Sequence, residues 1–310
     1  MKVTIIGGGG LVGSTAAFAL QCSGVVSHLC LVDAQRDLAG GQVLDLVNGA
    51  ALTSGARVSV GTLADAADSH VIVITAGSRR QPHESRLDLI HRNVALVRGL
   101  VKEIAQQKLR SDACLLMVSN PVDVLTHLAV EEAGLPWQRV IGLGTLLDTA
   151  RLRGALAQRL KVPATQVAVL VLGEHGDSMV PIWSTATVAG LGIEQWPGVT
   201  PQLLREVFEE TKSAGAQLIK LKGGSGFAVG LAIREVIHTL LLDERKVLPV
   251  ATLQQGKYEL RNICLSVPTV LGCGGVREQV EVPLTPKEKL GLQQSARVLR
   301  QTLDQVRTGP

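Results

Sequence analysis

Four consecutive glycines, Gly7 to Gly10, close an apolar β-branched run (Val3–Ile6) and open a helical stretch over 11–22. A strand that runs out into residues without a Cβ can turn at once into a helix packed back against it. Within this run Gly8-x-Gly10-x-x-Gly13 fits the dinucleotide-binding fingerprint. Its first glycine permits the tight turn, its second lets a pyrophosphate approach the backbone, and its third brings helix against strand. The helix N-terminus then offers N–H groups and partial positive charge to the phosphates. Asp33 ends the next apolar run, 20 residues beyond Gly13. A carboxylate there accepts from both ribose hydroxyls and repels a 2′-phosphate, so NAD is the expected cofactor rather than NADP. A glycine-rich turn alone often only closes a loop, and the placed acid is what lifts this one above that reading. The run holds one glycine more than the fingerprint needs, and which of Gly7–Gly10 takes which role stays open.

The rhythm continues in the same manner to about residue 145. Val3–Ile6, His28–Val32, Arg57–Val60, Val71–Thr75, Ala113–Val118 and Arg139–Leu143 read as strands. Between them lie helical spacings of three and four, such as Ile90, Val94, Val97, Val101 and Ile104. Strand–helix alternation predicts a Rossmann-type, doubly wound parallel sheet covered on both faces. Afterwards the order is mixed. A helix is expected over about 148–160, strands at Val167–Leu172 and Val180–Val188, and two long helices between about 201 and 243. Strand-like pieces follow near 247–252, 258–267 and 276–282, then a helix from Pro286 to Arg307. The expectation is an α/β chain of two domains: residues 1–143 bind NAD, and 144–310 form a second, α+β catalytic domain.

Composition narrows the partners. With 46% hydrophobic residues over 310 positions the chain can offset its ordering entropy, which excludes general disorder. Seven aromatics (three Trp, three Phe, one Tyr) count against nucleic-acid readers built on stacking. The 31 Lys+Arg against 27 Asp+Glu give +4, spread along the chain, which implies no anionic polymer. No uncharged apolar run reaches about 18 residues without a glycine, so no membrane span is expected. The N-terminus lacks a cleavage-site pattern. Five scattered cysteines (Cys22, Cys30, Cys114, Cys264, Cys273) with no Cys-x-x-Cys pair suit a reducing, cytoplasmic setting.

Chemistry concentrates in the second half. His175 sits between glycines in Gly173-Glu174-His175-Gly176-Asp177, just after an apolar strand. An imidazole on such a turn is accessible and titrates near neutrality, although a loop histidine can equally satisfy local hydrogen bonds. Asp148 and Arg151 differ by three and share a helix face. A carboxylate can orient an imidazole and a guanidinium can clamp a carboxylate, whereas a surface ion pair is the plain alternative.

These segments occur in order with Ser119-Asn120-Pro121-Val122-Asp123 and Gly144-Thr145-Leu146-Leu147-Asp148-Thr149-Ala150-Arg151. Thr75-Ala76-Gly77 precedes them, followed by a loop ending Glu84-Ser85-Arg86-Leu87-Asp88-Leu89. Together, over essentially the whole chain, they resemble the NAD-dependent L-lactate/malate dehydrogenase family, in its lactate-dehydrogenase-like branch. The resemblance implies that His175 exchanges the hydroxyl proton while Asp148 holds its tautomer and stabilises the imidazolium. It implies that Arg151 binds the substrate carboxylate, Arg86 polarises the carbonyl and Asn120 bonds near the substrate oxygen. Thr75, Ala76, Gly77, Asn93 and Asn120 would join Gly8, Gly10, Gly13 and Asp33 around NAD. The partner is then a small 2-hydroxy or 2-oxo acid, no metal is needed, and the family forms homo-oligomers, dimers or tetramers. The apolar stretches 11–22 and 36–50 are candidate interface.

Substrate choice in the family lies largely in the loop before Arg86. Counting back six places Arg80 where lactate-type enzymes generally carry Gln and malate-type enzymes Arg. A second guanidinium would pair with the far carboxylate of oxaloacetate and stay unpaired over pyruvate. A polar match of this kind can discriminate by about 10⁴. The order Gly224-Ser225-Gly226-Phe227 points the same way. The expectation is therefore (S)-malate/oxaloacetate. Glu84 and the segment 144–151 look closer to lactate-type enzymes, which keeps L-lactate dehydrogenase, or a broad 2-hydroxy acid dehydrogenase, as the alternative. Arg153 matches half of a fructose-bisphosphate site, but Ala168 stands where its histidine belongs, so no strong activation is expected. Two rival readings are weaker. An NAD- and metal-dependent glycosidase needs a Cys beside the histidine, and an idle NAD-binding protein has no reason to carry His175, Asp148, Arg151 and Arg86 together.

Overall fold

The computed structural model describes residues 1–53, 55–78 and 86–308, and for residues 86, 87 and 308 the backbone alone. Its first strand, β1 (Lys2–Ile6), is buried along its whole length. A strand with no solvent face needs cover above and below, and the chain supplies it by alternating strands with helices. The elements run α1 (Leu11–Ser23), β2 (His28–Val32), α2 (Arg36–Asn48), β3 (Arg57–Val60), β4 (Val71–Ile74) and α3 (Arg86–Ala105). Next come β5 (Cys114–Met117), α4 (Val122–Glu132), β6 (Val140–Gly142) and α5 (Leu146–Leu160). Strands β3-β2-β1-β4-β5-β6 are neighbours in that order and all parallel. The strand order reverses between β1 and β4, so the connections leave their carboxyl ends in opposite directions and open a crevice there.

The second half folds differently. β7 (Val167–Leu172), β8 (Val180–Val188) and β9 (Leu191–Gly192) form a separate antiparallel sheet. Two helices follow, α6 (Pro201–Lys222) and α7 (Phe227–Leu241), then β10 (Val247–Gln255), β11 (Arg261–Gly272), β12 (Gly275–Gln279) and α8 (Pro286–Thr308). The last three strands, read from sequence as belonging with the second domain, extend the first sheet instead. β10 pairs antiparallel with β6 through Ala251 and Gly142, making nine strands and leaving β6 no open edge.

Alternate residues of each strand feed opposite cores, as the period of two requires. Ile72 and Ile74 of β4 join Val97, Val101, Leu125 and Leu299 under α3, α4 and α8. Val71 and Val73 join Ala16, Leu20, Ile233 and Val236 under α1 and α7. A third core packs Leu152 and Leu156 of α5 and Val207 of α6 on β7 and β8. All five cysteines are free thiols. Among the described residues no helix is long and apolar enough to cross a membrane.

Candidate active site

The glycine turn is packed so closely that side chains have no room in it. Gly7 adopts φ +87°, the left-handed region that favours glycine. A Cβ on Gly8 would lie 2.8 Å from Leu31 Cβ, and one on Gly13 only 2.3 Å from Gly7 O. Gly13 is thus where α1 meets the turn. Gly10, by contrast, caps α1 with its open side clear, the nearest atom to a Cβ there being 3.4 Å away. Asp33 is fixed beside the turn: Oδ2 accepts from Gly9 N at 3.0 Å and Oδ1 from Gln35 N at 2.9 Å. The end of β4 is tied to the same place, since Thr75 Oγ1 donates to Ile6 O at 3.0 Å. Asn93 of α3 donates to Asn120 O at 3.1 Å and accepts from Ser78 N at 2.8 Å. It thereby joins the segment after Ala76-Gly77 to the turn before α4. This cradle, an exposed backbone at a helix N-terminus with an acid at its side, fits a dinucleotide.

The titrating groups converge from three elements. Asp148 lies in the first turn of α5, where the helix dipole favours an anion, and its side chain is 1% exposed. His175 sits on the loop after β7, and its Nδ1 is 2.5 Å from Asp148 Oδ2. Arg151, one turn along α5, donates from Nη1 to Asp148 Oδ1 at 3.2 Å. Burial opposes the charged forms of both partners in the pair, but attraction outweighs it. The neighbouring imidazole and guanidinium hold Asp148 below the usual carboxylate range. Asp148 in turn raises His175 above the ordinary imidazole value. The pairing therefore favours the protonated ring, with Nδ1 engaged by Asp148.

The loop bearing His175 is held from behind. Gly173, at φ +90°, exchanges two backbone bonds of 2.9 Å with Ser266 of β11. Glu174 N donates to Ser295 Oγ of α8 at 2.6 Å, and Ser178 Oγ donates to the Glu174 carboxylate. Asp123 Oδ2, at the start of α4, accepts from His175 N at 2.8 Å.

One cleft of about 440 Å³ connects the two halves. Gly10, Gly13, Thr75, Gly77, Asn93, Asn120, Arg151 and His175 all line it. Gly8, Ala76, Asp33 and Asp148 do not: they support the lining residues from beneath or at the edge. Arg86 opens α3, but only its backbone is described. Arg80, with the rest of its loop, lies outside the described residues. Among the described residues no cluster of His, Cys, Asp and Glu could hold a metal ion. Sequence reasoning gave no role to Ser266, Ser295 or Asp123. Only Asp123 carried a signal, as an acid within the Ser119–Asp123 motif.

Residues 1–142 match the family described as lactate/malate dehydrogenase, NAD binding domain, and residues 145–308 its alpha/beta C-terminal domain. The chain belongs to the lactate/malate dehydrogenase family. It is 41% identical over 308 residues to an L-lactate dehydrogenase of Synechococcus sp. (strain JA-3-3Ab), covering 99% of this chain and 100% of that protein. It is 43% identical over 302 residues to an L-lactate dehydrogenase of Gloeobacter violaceus, covering 96% and 91%. The crystal structure of a minor L-lactate dehydrogenase from Enterococcus mundtii, in a ligand-bound form, superposes with a TM-score of 0.95. That protein shares 35% identity, with 99% of each chain covered. The chain is an NAD-dependent oxidoreductase of 2-hydroxy acids.

Proposed function

We propose that this dehydrogenase interconverts L-lactate and pyruvate. The reading is carried by the His175–Asp148–Arg151 set opening on the cofactor cleft, and it is supported by full-length relatives that bear the name L-lactate dehydrogenase. It replaces the malate preference expected from Arg80. The relatives favour the lactate alternative, and the loop that carries Arg80 also carries Glu84, whose charge would offset it.

Bound NAD supplies a carbon that accepts a hydride from C2 of lactate or returns one to pyruvate. The chain's residues do the rest. Arg151 pairs with the substrate carboxylate through the part of its fork that faces the cleft. His175 Nε2 takes the hydroxyl proton during oxidation and gives it back during reduction. Asp148 keeps Nδ1 protonated and stabilises the imidazolium without itself taking the proton. Arg86 polarises the substrate oxygen, and Asn120 bonds beside it. Gly8, Gly10, Gly13 and Asp33, with Thr75, Ala76, Gly77, Asn93 and Asn120, hold the cofactor.

Residues 1–143 act as the cofactor unit and 144–310 as the substrate unit. The enzyme assembles as a homo-oligomer, for which Phe18 and Leu44, 58% and 63% exposed on α1 and α2, provide apolar surface. The free thiols accord with a cytoplasmic setting. No strong activation by fructose bisphosphate is expected: Ala168 stands where its histidine belongs, and Arg153 already donates to Val167 O at 2.8 Å and to Ala164 O at 3.4 Å.

The test is kcat/KM for NADH oxidation with pyruvate and with oxaloacetate, in the wild type and in Arg80→Gln. The expected result is preference for pyruvate in both. A wild-type preference for oxaloacetate that inverts in Arg80→Gln would overturn the lactate reading.

A further inference from the structure

From the end of β10 into β11 the backbone passes repeatedly through the left-handed region: Gly256 at φ +129°, Tyr258 at +52°, Glu259 at +64° and Asn262 at +54°. Residues that carry a Cβ seldom enter that region, and they stay there only where their surroundings hold them. Here the surroundings do so. Tyr258 turns inward, its OH accepting from Val282 N at 2.8 Å and its backbone N–H donating to the Glu281 carboxylate. Arg300 of α8 donates to Arg261 O at 3.1 Å. The turn so fixed carries Lys257 and Arg261 into the wall of a cavity of about 520 Å³. A Cβ on Gly256 would stand 3.1 Å from Arg261 Nη2, so the glycine lets the guanidinium lie against the turn.

Arg277 and Glu278 of β12 line the same cavity, with Trp137 and Gln138 from the turn before β6. Three cations thus face one space with a single carboxylate among them. The acids nearby are engaged elsewhere. Glu259 accepts from Lys289 at 2.7 Å, Glu281 accepts from Tyr258 N, and Asp243 accepts from Cys273 N at 2.8 Å while reaching Arg277 Nη2 only at 3.6 Å. Among the described residues Lys257 and Arg261 enter no ion pair. Like charges gathered in this way repel one another, and an anion placed among them relieves the repulsion. None of these residues lines the cofactor cleft.

We propose that this cavity is a second anion site, built for a nucleoside phosphate, with the phosphates on Lys257, Arg261 and Arg277 and the base against Trp137. A guanidinium fork matches the edge of a phosphate, and a lysine adds a point charge. The half-buried indole supplies a flat apolar platform on which a heterocycle stacks whatever its edge. The Gln138 amide can donate and accept beside it. The volume lies in the range of small-molecule sites. Because the turn is held by Tyr258 and Arg300 before any ligand arrives, little ordering remains to be done on binding. The site goes beyond the lactate/pyruvate reading and does not rest on it, since a nucleotide would occupy it with the cofactor cleft already filled.

The test is calorimetric titration of ADP into the full chain saturated with NADH, at about 0.15 M salt, where exposed charges are screened beyond about 8 Å. Saturation with NADH keeps binding in the cofactor cleft out of the signal. One ADP per chain is expected, with pyrophosphate binding about tenfold more weakly for want of a base to stack. Lys257→Gln and Arg261→Gln are each expected to weaken ADP about tenfold, while NADH affinity and kcat for pyruvate reduction stay at wild-type values. Trp137→Leu is expected to bring ADP down to the affinity of pyrophosphate. No heat from ADP at this salt, or equal binding in the wild type and both charge variants, would overturn the proposal and leave Lys257 and Arg261 as solvated surface cations. Pyrophosphate binding as tightly as ADP would overturn the nucleoside assignment. ADP binding that follows these variants in a protein that turns over no pyruvate would sink the lactate reading and leave this site standing.

Discussion

The two ends of the cleft are made of different material. At the glycine turn the decisive contacts are made by backbone: Gly13 lies against Gly7 O, Gly8 against Leu31 Cβ and Ile5 O, and amide hydrogens grip the Asp33 carboxylate. At the other end, 148 to 175, the decisive contacts are between charged side chains brought in from α5 and from a loop pinned by β11 and α8. The cofactor end is specified by shape, and a shape fails when an atom is added. The catalytic end is specified by charge, and a charge arrangement fails when an atom keeps its place but loses its sign. Substitutions at the two ends should therefore separate: those at the first alter cofactor affinity and stability, those at the second alter rate and pH dependence.

The largest effect is expected from Asp148→Asn. The side chain keeps its volume in a site 1% exposed, but the anion that raises His175 is gone. His175 is held above its ordinary value by that anion, so its removal moves the imidazole's titration to lower pH. Reduction requires the protonated ring, and its kcat/KM at neutral pH is expected to fall by about 10²–10³-fold, with the alkaline limb displaced towards acid. Oxidation, which requires the neutral ring, should lose less at low pH than at high pH relative to the wild type. NADH affinity, read by fluorescence titration, should change less than about threefold. An equal loss in cofactor binding would break the separation between the two ends.

How far each end could be read in advance follows from the same difference. The cofactor turn is local: Gly7–Gly10, Gly13 and Asp33 lie within one β-α-β unit, so spacing points to the turn while leaving open which of the four glycines takes which role. β2, β3, β7 and β8 likewise fall where the apolar runs put them, because an apolar, β-branched run bounded by turn residues reads as a strand whether it is nearly all buried, as β2 is, or buries alternate residues, as β8 does. The pairing of β10 to β6 was not legible, since a run of apolar residues states that it is a strand without stating beside which. The His175–Asp148 pair was suggested by residue type but needed the family motif, for 27 residues and two elements separate them. Asp123 was hidden for a different reason. An acid in a helix's first turn already has a local explanation in the helix dipole, and what makes it unusual is burial beside the loop of His175. Arg80 shows the opposite case. Its position in a motif points to a contact with a second substrate carboxylate, while the full-length relatives bear the name L-lactate dehydrogenase.

An intermediate effect should come from Gly13→Ala. The added Cβ would stand 2.3 Å from the carbonyl oxygen of Gly7, a backbone atom that cannot rotate aside, so α1 has to move off the turn. Overpacking of this kind costs about 1–3 kcal/mol, visible as a lower midpoint in chemical denaturation. Displacing the helix N-terminus should weaken NADH binding by about 30-fold, within the range that loss corresponds to. With cofactor saturating, kcat and its pH profile should stay within about threefold of the wild type, because His175, Asp148 and Arg151 are held by other elements. A changed pH profile would mean that the two ends communicate through α1 and would sharpen where.

The smallest effect, and the most informative about charge at the shape-built end, is expected from Asp33→Asn. The carboxylate accepts two amide hydrogens, Gly9 N through Oδ2 and Gln35 N through Oδ1. Asn has one acceptor oxygen, so one of these amides faces an NH₂ group and is lost. A hydrogen bond to a charged group is worth about 1.5–3 kcal/mol, but here water can reach the half-exposed site and return part of it. NADH affinity is therefore expected to fall only about tenfold. Affinity for NADPH should fall less or rise, because the negative charge that repels a 2′-phosphate is gone. The ratio of the two dissociation constants is the quantity to measure. If it stays at its wild-type value while both affinities drop, Asp33 serves the turn's geometry alone. If the ratio narrows by about tenfold, charge selects the cofactor even where backbone shape holds it.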